Sequence, residues 1–169
     1  MKTKYLILIA ITGFVVALDQ LTKMYVHTQF LLGESHTVIP SFFDITYVRN
    51  QGAAFGIFRE AQETFRSIFF LTMPPVAVAF ILYIMYGLPD DDRVQVVSLS
   101  LVSGGAIGNY IDRLRFRYVI DFLDFHIHRK YTWPAFNVAD ASIVSGICVL
   151  VLIMYLQWIK ERKKKSAKA

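Results

Sequence analysis

Charged residues are scarce in this chain, and their scarcity indicates the class of protein. Of 169 residues, 18% are charged and 55% are hydrophobic, and the mean hydropathy is +0.44. Because soluble domains carry about 25% charged residues, the composition favours a membrane protein that forms one compact domain. A single cysteine, Cys148, excludes an internal disulfide. It lies in an apolar run and is predicted to be a small core residue.

The sequence also lacks a basic stripe interleaved with aromatic residues, which a nucleic-acid-binding surface would need. Its net charge of +5 comes entirely from the tail at residues 160–169, where six basic residues face only Glu161. We therefore expect no nucleic-acid partner. Beside a membrane span, such a tail fixes orientation and attracts anionic lipid, so membrane phospholipid is an expected partner.

Four segments are apolar enough to cross a bilayer, whose hydrocarbon requires about 20 helical residues. They cover residues 5–26, 66–86, 94–113 and 138–159. The first resembles a secretory signal, but Val16–Asp19 lacks the small-x-small cleavage pattern. We expect it to remain as a retained transmembrane helix.

The two ends of the chain predict its orientation. Lys2 and Lys4 place the N-terminus in the cytoplasm, and the basic tail at residues 160–169 places the C-terminus there too. Residues 27–65 and 114–137 then face outward. Four basic residues in the second outer segment oppose this orientation, and the two termini outweigh them.

The outer segments predict structure of their own. Ser41–Asn50 is rich in β-branched and aromatic residues and predicts a strand, and Glu60–Arg66 predicts a short interfacial helix. Gly104 and Gly108, four residues apart in the third span, predict a small face for close helix packing. The expected fold is a membrane all-α, four-transmembrane-helix bundle with a small extracytoplasmic β element and a short interfacial helix, in one integral membrane domain over residues 1–169.

Four aspartates lie within or at the ends of the apolar segments, all near the outer boundary: Asp19, Asp112, Asp121 and Asp140. A charge at a helix centre costs about 2.5–3.5 kcal/mol on insertion scales, so four at one depth indicate a site. Asp19 and Lys23 are four residues apart on a helix and predict an ion pair. Asp112 cannot face its neighbour Arg113 on a helix, so we interpret Asp112 as a structural or orienting group with another partner.

The other two aspartates indicate chemistry. Asp140 has apolar neighbours and no nearby cation, and Asp121 is also flanked by apolar residues, although Arg117 could pair with it if this stretch were helical. Two carboxylates in one apolar pocket share a proton, so that one activates water while the other donates to a carbonyl. Asp124 is an alternative to Asp121 that spacing alone does not exclude.

Rival functions have weaker support. A proton-coupled carrier usually holds carboxylates near the midplane between repeated halves, and neither feature occurs. Asp124, His126 and His128 alternate along a possible strand, but no HExxH or paired-cysteine pattern accompanies them, so no metal is expected. A Ser–His or Cys–His nucleophile is not excluded by composition, but Cys148 has no histidine nearby in sequence.

Five short motifs occur in order along nearly the whole chain. They are Asp19 to Lys23 (DQLTK), Asn50 to Phe55 (NQGAAF), Gly104 to Arg113 (GGAIGNYIDR), Val119 to Phe122 (VIDF) and Pro134 to Asp140 (PAFNVAD). In this order and spacing they resemble the motifs of bacterial lipoprotein signal peptidase, also called signal peptidase II.

This resemblance implies that Asp121 and Asp140 are the catalytic dyad. It places Asn50, Gly52, Asn109, Arg113 and Asn137 in or beside the site. With Asp19, Lys23 and Asp112, these are the predicted substrate-binding or site-supporting residues.

The resemblance also implies the substrate and the setting. The substrate class would be prolipoproteins whose cysteine carries diacylglycerol, cut just before that cysteine by an aspartic endopeptidase without cofactor or metal. The expected location is the bacterial inner membrane, with both termini cytoplasmic, the active site near the outer face, and the enzyme working as a monomer.

Overall fold

The computed structural model describes residues 2–52 and 62–166. Within these ranges, four helices are long and apolar enough to cross a membrane. They are α1 (Thr3–Gln29), α2 (Glu63–Gly87), α3 (Arg93–Phe116) and α4 (Val138–Ser166). The prediction of four long apolar helices is therefore confirmed, and each helix extends beyond its predicted apolar segment because the helical conformation continues past the apolar run.

A small antiparallel sheet accompanies the bundle. Its strands are β1 (Ser35–Ile39), β2 (Phe43–Asn50), β3 (Val119–Ile127) and β4 (Tyr131–Thr132), in that spatial order. The strand predicted at Ser41–Asn50 is confirmed as β2. The predicted fold class, four apolar helices with a small β element, is correct.

Two details of the prediction differ from the structure. Of the predicted interfacial helix Glu60–Arg66, residues 60 and 61 lie outside the described residues, and Glu63–Arg66 form the first turn of α2 itself. The basic tail is not separate from the fourth span, because α4 continues to Ser166. Residues 167–169 also lie outside the described ranges.

Helix α3 is the centre of the bundle and packs against the other three helices. Half of its apolar stretch is buried, against 11–17% in the other helices. The predicted small face explains this packing. A Cβ added to Gly104 would lie 2.7 Å from the Val15 Cβ of α1, and one added to Gly105 would overlap the Ala139 carbonyl oxygen of α4. The glycines therefore let α1 and α4 approach the α3 backbone directly.

Large apolar side chains cover much of the outside of the helices, among them Phe14, Leu21 and Tyr83, each more than 60% exposed. Such a surface suits contact with lipid rather than water. Cys148 is exposed on it, so its predicted core position is wrong. The reason is that an apolar stretch of a membrane helix can face lipid as readily as protein.

Two buried clusters lie at opposite ends of the bundle. One joins the start of α1 to the end of α2 and the start of α3, through residues such as Leu8 and Met85. The other joins the end of α1 to the sheet, through Val26, Tyr47 and Ile120. The second cluster anchors β2 and β3 on the helices, and it thereby fixes the position of the neighbouring Asp121.

Candidate active site

Asp121 and Asp140 line one cavity of about 740 Å³. Strand β3 carries Asp121, and the first turn of α4 carries Asp140. The polar part of the lining includes Arg49, Asn50, Asn109, Arg113 and Ser145 with the two aspartates. The apolar part includes Val48, Val119, Phe125, Trp133, Phe136 and Val144. The cavity thus combines a pair of carboxylates with a wall suited to hydrocarbon or apolar side chains.

The start of α4 holds Asp140 in place. The Asn137 side-chain oxygen accepts a hydrogen bond from the Asp140 backbone N–H at 2.9 Å, and Asp140 Oδ2 accepts one from the Asn137 N–H at 3.4 Å. This reciprocal arrangement is a capping box. Asn109 Nδ2 also donates to Asp140 Oδ1 at 2.7 Å. These donors and the positive end of the helix dipole favour a negatively charged carboxylate.

Asp121 is buried and 2% exposed. It accepts hydrogen bonds from Asn50 Nδ2 at 3.0 Å and from Asn137 Nδ2 at 2.7 Å. Burial and the nearby charge of Asp140 raise the pKa of Asp121 to about 7, against the opposing effect of these hydrogen bonds. Asp121 therefore keeps its proton to a much higher pH than an ordinary aspartate does.

The structure separates Asp121 from Asp124, the alternative candidate, and from Arg117, the possible ion-pair partner. Asp124 pairs in register with Asp44 on β2 and is not part of the cavity lining. Arg117 does not form the ion pair that a helix would have allowed, because α3 ends at Phe116 and Arg117 adopts a left-handed conformation with φ 67°. Asp121 follows on a strand.

Lys23 is the centre of a buried ionic network. Its Nζ lies 2.8 Å from Asp19 Oδ2, 3.0 Å from Asp112 Oδ2 and 2.9 Å from Asn109 Oδ1. Lys23 and the two carboxylates are at most 1% exposed. The predicted Asp19–Lys23 ion pair is present, and Lys23 is also the ion-pair partner of Asp112, whose neighbour Arg113 cannot face it on the helix. All three donors of the ammonium group are satisfied.

This network also reaches the elements that carry the dyad. Asp19 Oδ1 accepts a hydrogen bond from the Ala139 N–H at 2.9 Å, and Asp112 Oδ2 accepts one from the Ile120 N–H at 3.1 Å. Ala139 precedes Asp140, and Ile120 precedes Asp121. Asp19 and Asp112 therefore position the backbone beside each dyad residue.

Asn109 and Asn137 connect the ionic network to the dyad. Asn109 accepts from Lys23 through its oxygen and donates to Asp140 through its nitrogen. Asn137 Nδ2 lies 3.2 Å from Asn109 Oδ1 and donates to Asp121. The two amides thus link both carboxylates to a fixed positive charge.

Arg113 lines the cavity and contacts Gly52. Arg113 Nη2 donates to the Gly52 carbonyl oxygen at 3.2 Å, and its guanidinium carbon lies 4.5 Å from the centre of the Phe70 ring. The Gly52 N–H donates to Asn50 Oδ1 at 2.9 Å, which orients the Asn50 amide towards Asp121. The rest of the second motif, residues 53–55, lies outside the described residues.

Sequence reasoning missed two residues that belong to this arrangement. Gln20 Nε2 donates to Asp112 Oδ1 at 2.8 Å and to the Gly108 carbonyl oxygen at 3.2 Å. Arg49 lines the cavity, and its Nε donates to Tyr47 Oη at 3.0 Å. Gln20 follows Asp19 and Arg49 precedes Asn50 in the sequence. Adjacency to a predicted site residue was therefore the signal that could have identified Gln20 and Arg49.

The histidines of the sequence DFHIH do not group with Asp124 as a metal site. His126 is buried against Asp44, with Nε2 3.3 Å from Asp44 Oδ2. His128 has left the strand conformation, with φ 48°. In residues 2–52 and 62–166, no group of three or more His, Cys, Asp or Glu side chains is arranged to hold a metal.

Comparison with known proteins gives consistent matches. A family model described as "Signal peptidase (SPase) II" matches residues 11–156. The chain is 45% identical to the lipoprotein signal peptidase of Syntrophus aciditrophicus, over 98% of this chain and 100% of that protein. It is 45% identical to the lipoprotein signal peptidase of Syntrophotalea carbinolica, over 94% of this chain and 97% of that protein.

Solved structures agree with the sequence matches. Two structures described as bacterial membrane enzymes superpose with TM-scores of 0.79 and 0.77, at 34% and 35% identity. They cover 88% and 87% of this chain, and 87% and 91% of their own chains. With its four membrane-spanning helices, this protein is a multi-pass bacterial membrane protein, and the chain belongs to the signal peptidase II family.

Proposed function

We propose that this protein is an aspartic endopeptidase that removes the signal peptide from diacylglyceryl-modified prolipoproteins, cutting just before the lipidated cysteine. Asp121 and Asp140 are the catalytic pair. The observation that carries the proposal is their position in one cavity, where Asp121 has a pKa raised to about 7. Relatives named lipoprotein signal peptidase support the substrate class.

The two carboxyl groups have different roles. Asp140 is the ionised base, because Asn109, the Asn137 N–H and the helix start all favour its negative charge. Asp121 is the protonated acid, because burial and the charge of Asp140 favour its neutral form. Such a pair activates water and substrate together without a covalent intermediate.

The reaction then proceeds in two proton-balanced steps. Asp140 takes a proton from water as the water oxygen bonds to the scissile carbonyl carbon, and Asp121 gives its proton to the carbonyl oxygen. In the second step Asp140 returns its proton to the amide nitrogen of the departing cysteine. The carbon–nitrogen bond breaks, and a hydroxyl proton of the intermediate returns to Asp121. Both aspartates end as they began.

The cavity suits a scissile bond that lies beside a lipid. Asp140 is in the first turn of α4, so the pair lies at one end of a membrane-spanning helix rather than at its middle. The apolar wall at Phe136 and Val144 can hold an acyl chain or an apolar side chain, and the amides of Asn50 and Asn137 stand beside the carboxylates. We place this end at the outer face, with both termini in the cytoplasm, and expect the protein to work as a monomer.

Cleavage of a diacylated prolipoprotein by the purified protein in detergent tests the proposal, with a chelator in every sample. We expect wild type to cut, and Asp121→Asn and Asp140→Asn to lose cleavage while they remain folded. Asp124→Asn is the matched control, because Asp124 lies on the same strand but does not line the cavity. Near-normal turnover in either dyad variant, or loss of wild-type cleavage with the chelator, would contradict the mechanism.

A further inference from the structure

Asp44 is a buried carboxylate that the proposed mechanism does not use. It lies on β2, is 0% exposed, and pairs in register with Asp124 on β3. Side chains directly opposite each other on antiparallel strands share one face of the sheet, and two like charges in that arrangement are destabilising. A carboxylate that is buried beside another one therefore requires a cation of its own.

Arg129 supplies this positive charge from the turn between β3 and β4. Its Nη2 donates to Asp44 Oδ2 at 2.8 Å, although 69% of the Arg129 side chain is exposed. His126 Nε2 lies 3.3 Å from the same oxygen, but neither nitrogen of the His126 ring is hydrogen-bonded within residues 2–52 and 62–166. In that part of the chain, Arg129 is the hydrogen-bond donor that holds the Asp44 carboxylate.

The turn that carries Arg129 has a backbone that its sequence does not favour. The Lys130 N–H donates to the Ile127 carbonyl oxygen at 2.9 Å. Between these residues, His128 and Arg129 have φ angles of 48° and 53°. Left-handed values at both central positions are characteristic of a type I′ turn, for which Asn and Gly are preferred. Other residues adopt this conformation at a cost, so the bond from Arg129 to Asp44 stabilises the turn.

The chain on both sides of this turn forms part of the cavity around the dyad. The Trp133 N–H donates to the Phe125 carbonyl oxygen at 2.9 Å, and Phe136 pairs with Leu123 through hydrogen bonds of 2.8 and 3.1 Å. Phe125, Trp133 and Phe136 all line the cavity, and they are its apolar wall on this side. Because the turn joins the two strands that carry this wall, the position of the turn decides where the wall lies.

We propose that Asp44 is a positioning residue for substrate binding. Through Arg129 it holds the β3–β4 turn, and the turn holds the apolar wall against the lipid or an apolar side chain of the substrate. This inference rests on the proposed function. The hydrogen bonds to the dyad come from Asn50, Asn109 and Asn137, which lie outside the turn. Loss of Asp44 should therefore weaken substrate binding and leave the chemical step intact.

Hydrogen exchange measured by mass spectrometry tests the first part of this proposal without substrate, so its result is independent of the proposed function. In Asp44→Ala, the amides of residues 128–136 should exchange about tenfold faster than in wild type, because the turn loses a hydrogen bond to a charged group. Asp124→Ala is the matched control. It removes the opposite carboxylate, which has no ion pair among the described residues, and it should exchange as wild type does.

A repaired turn separates the positioning role from a general loss of structure. The triple variant Asp44→Ala, His128→Asn, Arg129→Gly places the preferred Asn-Gly pair at the centre of the turn. The turn then no longer needs the bond to Asp44, so slow exchange should return.

Steady-state cleavage of a diacylated prolipoprotein in mixed micelles tests the second part. Asp44→Ala should raise KM about tenfold and keep kcat within about twofold of wild type, whereas the triple variant should return KM to the wild-type value. Unchanged exchange or unchanged KM in Asp44→Ala would overturn the proposal. An equal effect in Asp124→Ala, or no recovery in the triple variant, would also overturn it.

Discussion

Replacement of Lys23 by methionine should destabilise the protein more than the loss of any other single lysine. The substitution keeps most of the side-chain volume but leaves Asp19 and Asp112 buried without the ammonium that lies 2.8 and 3.0 Å from them. Removal of one partner from a buried ion pair costs about 3–5 kcal/mol. The remaining hydrogen bonds from Ala139 and Ile120 are kept, so we expect a loss within this range.

Lys4→Met is the control for this experiment. Lys4 is also 1% exposed, but it donates to two backbone carbonyls, of Tyr86 and Leu88, and its carboxylate neighbour Asp90 is 3.7 Å away and 45% exposed. Its loss leaves no buried charge and should cost about 1 kcal/mol. Comparison of the two lysine variants therefore separates the cost of leaving buried carboxylates without a cation from the cost of losing a long buried side chain.

The assay is reversible unfolding in mixed micelles, with the free energy of unfolding compared between the two variants. The double variant Lys23→Met, Asp112→Asn should lose less than Lys23→Met alone, because one of the two stranded carboxylates becomes neutral. Equal losses in the two lysine variants, or no recovery in the double variant, would refute the reasoning that charge burial dominates.

Four further predictions concern the dyad and the helix packing. Above pH 7 the rate of cleavage should fall about tenfold per pH unit, because Asp121 has a pKa of about 7 and must donate a proton. A cleavage rate that does not change between pH 6 and pH 9 would contradict this. Since the unfolded carboxyl has a pKa near 3.8, the same group should make the free energy of unfolding decrease as pH rises from about 4 to 7, and Asp121→Asn should remove this contribution to the pH dependence. Gly105→Ala should lower the free energy of unfolding by about 1–3 kcal/mol, because its Cβ would overlap the Ala139 carbonyl. Gly13→Ala is the control, because Gly13 lies inside α1 with open space around it, and the substitution should leave the free energy of unfolding unchanged or raise it by up to about 1 kcal/mol. Asn137→Ala should lower the free energy of unfolding by about 0.5–2 kcal/mol, because the cap of α4 is lost. It should also reduce kcat at least tenfold, because Asn137 donates a hydrogen bond to Asp121. A loss of stability without a change in kcat would argue against a role of Asn137 at the dyad.

The helices of this protein are predictable from sequence because length and hydropathy alone define a membrane span. The ion pair of Asp19 and Lys23 is predictable too, since both residues lie on one helix face. The partner of Asp112 is not, because Lys23 is 89 positions away in the chain and only the packing of α1 on α3 brings the two together.

Strand β3 escaped prediction for a different reason. Residues 119–122 are all buried, so the alternation that identifies a half-exposed strand is absent. In β2 the alternation is present over residues 43–46, but there the polar Asp44 and Thr46 are buried, and the next residue, Tyr47, is buried as well. The left-handed Arg117 that separates α3 from β3 carries no sequence signal, since glycine usually occupies such a position.

The hydrogen bond between Asp19 and the Ala139 N–H has a consequence for the order in which the protein is built. The two residues are 120 positions apart, so during synthesis Asp19 enters the membrane long before its backbone partner exists. Lys23, one helical turn away, accompanies it from the start and neutralises its charge during that interval. Asp140 follows Ala139 directly, so the proposed pair is completed only when the last helix is made. A nascent chain that stops before residue 138 contains the paired Asp19 and Lys23 but only Asp121 of the two aspartates that we propose for catalysis.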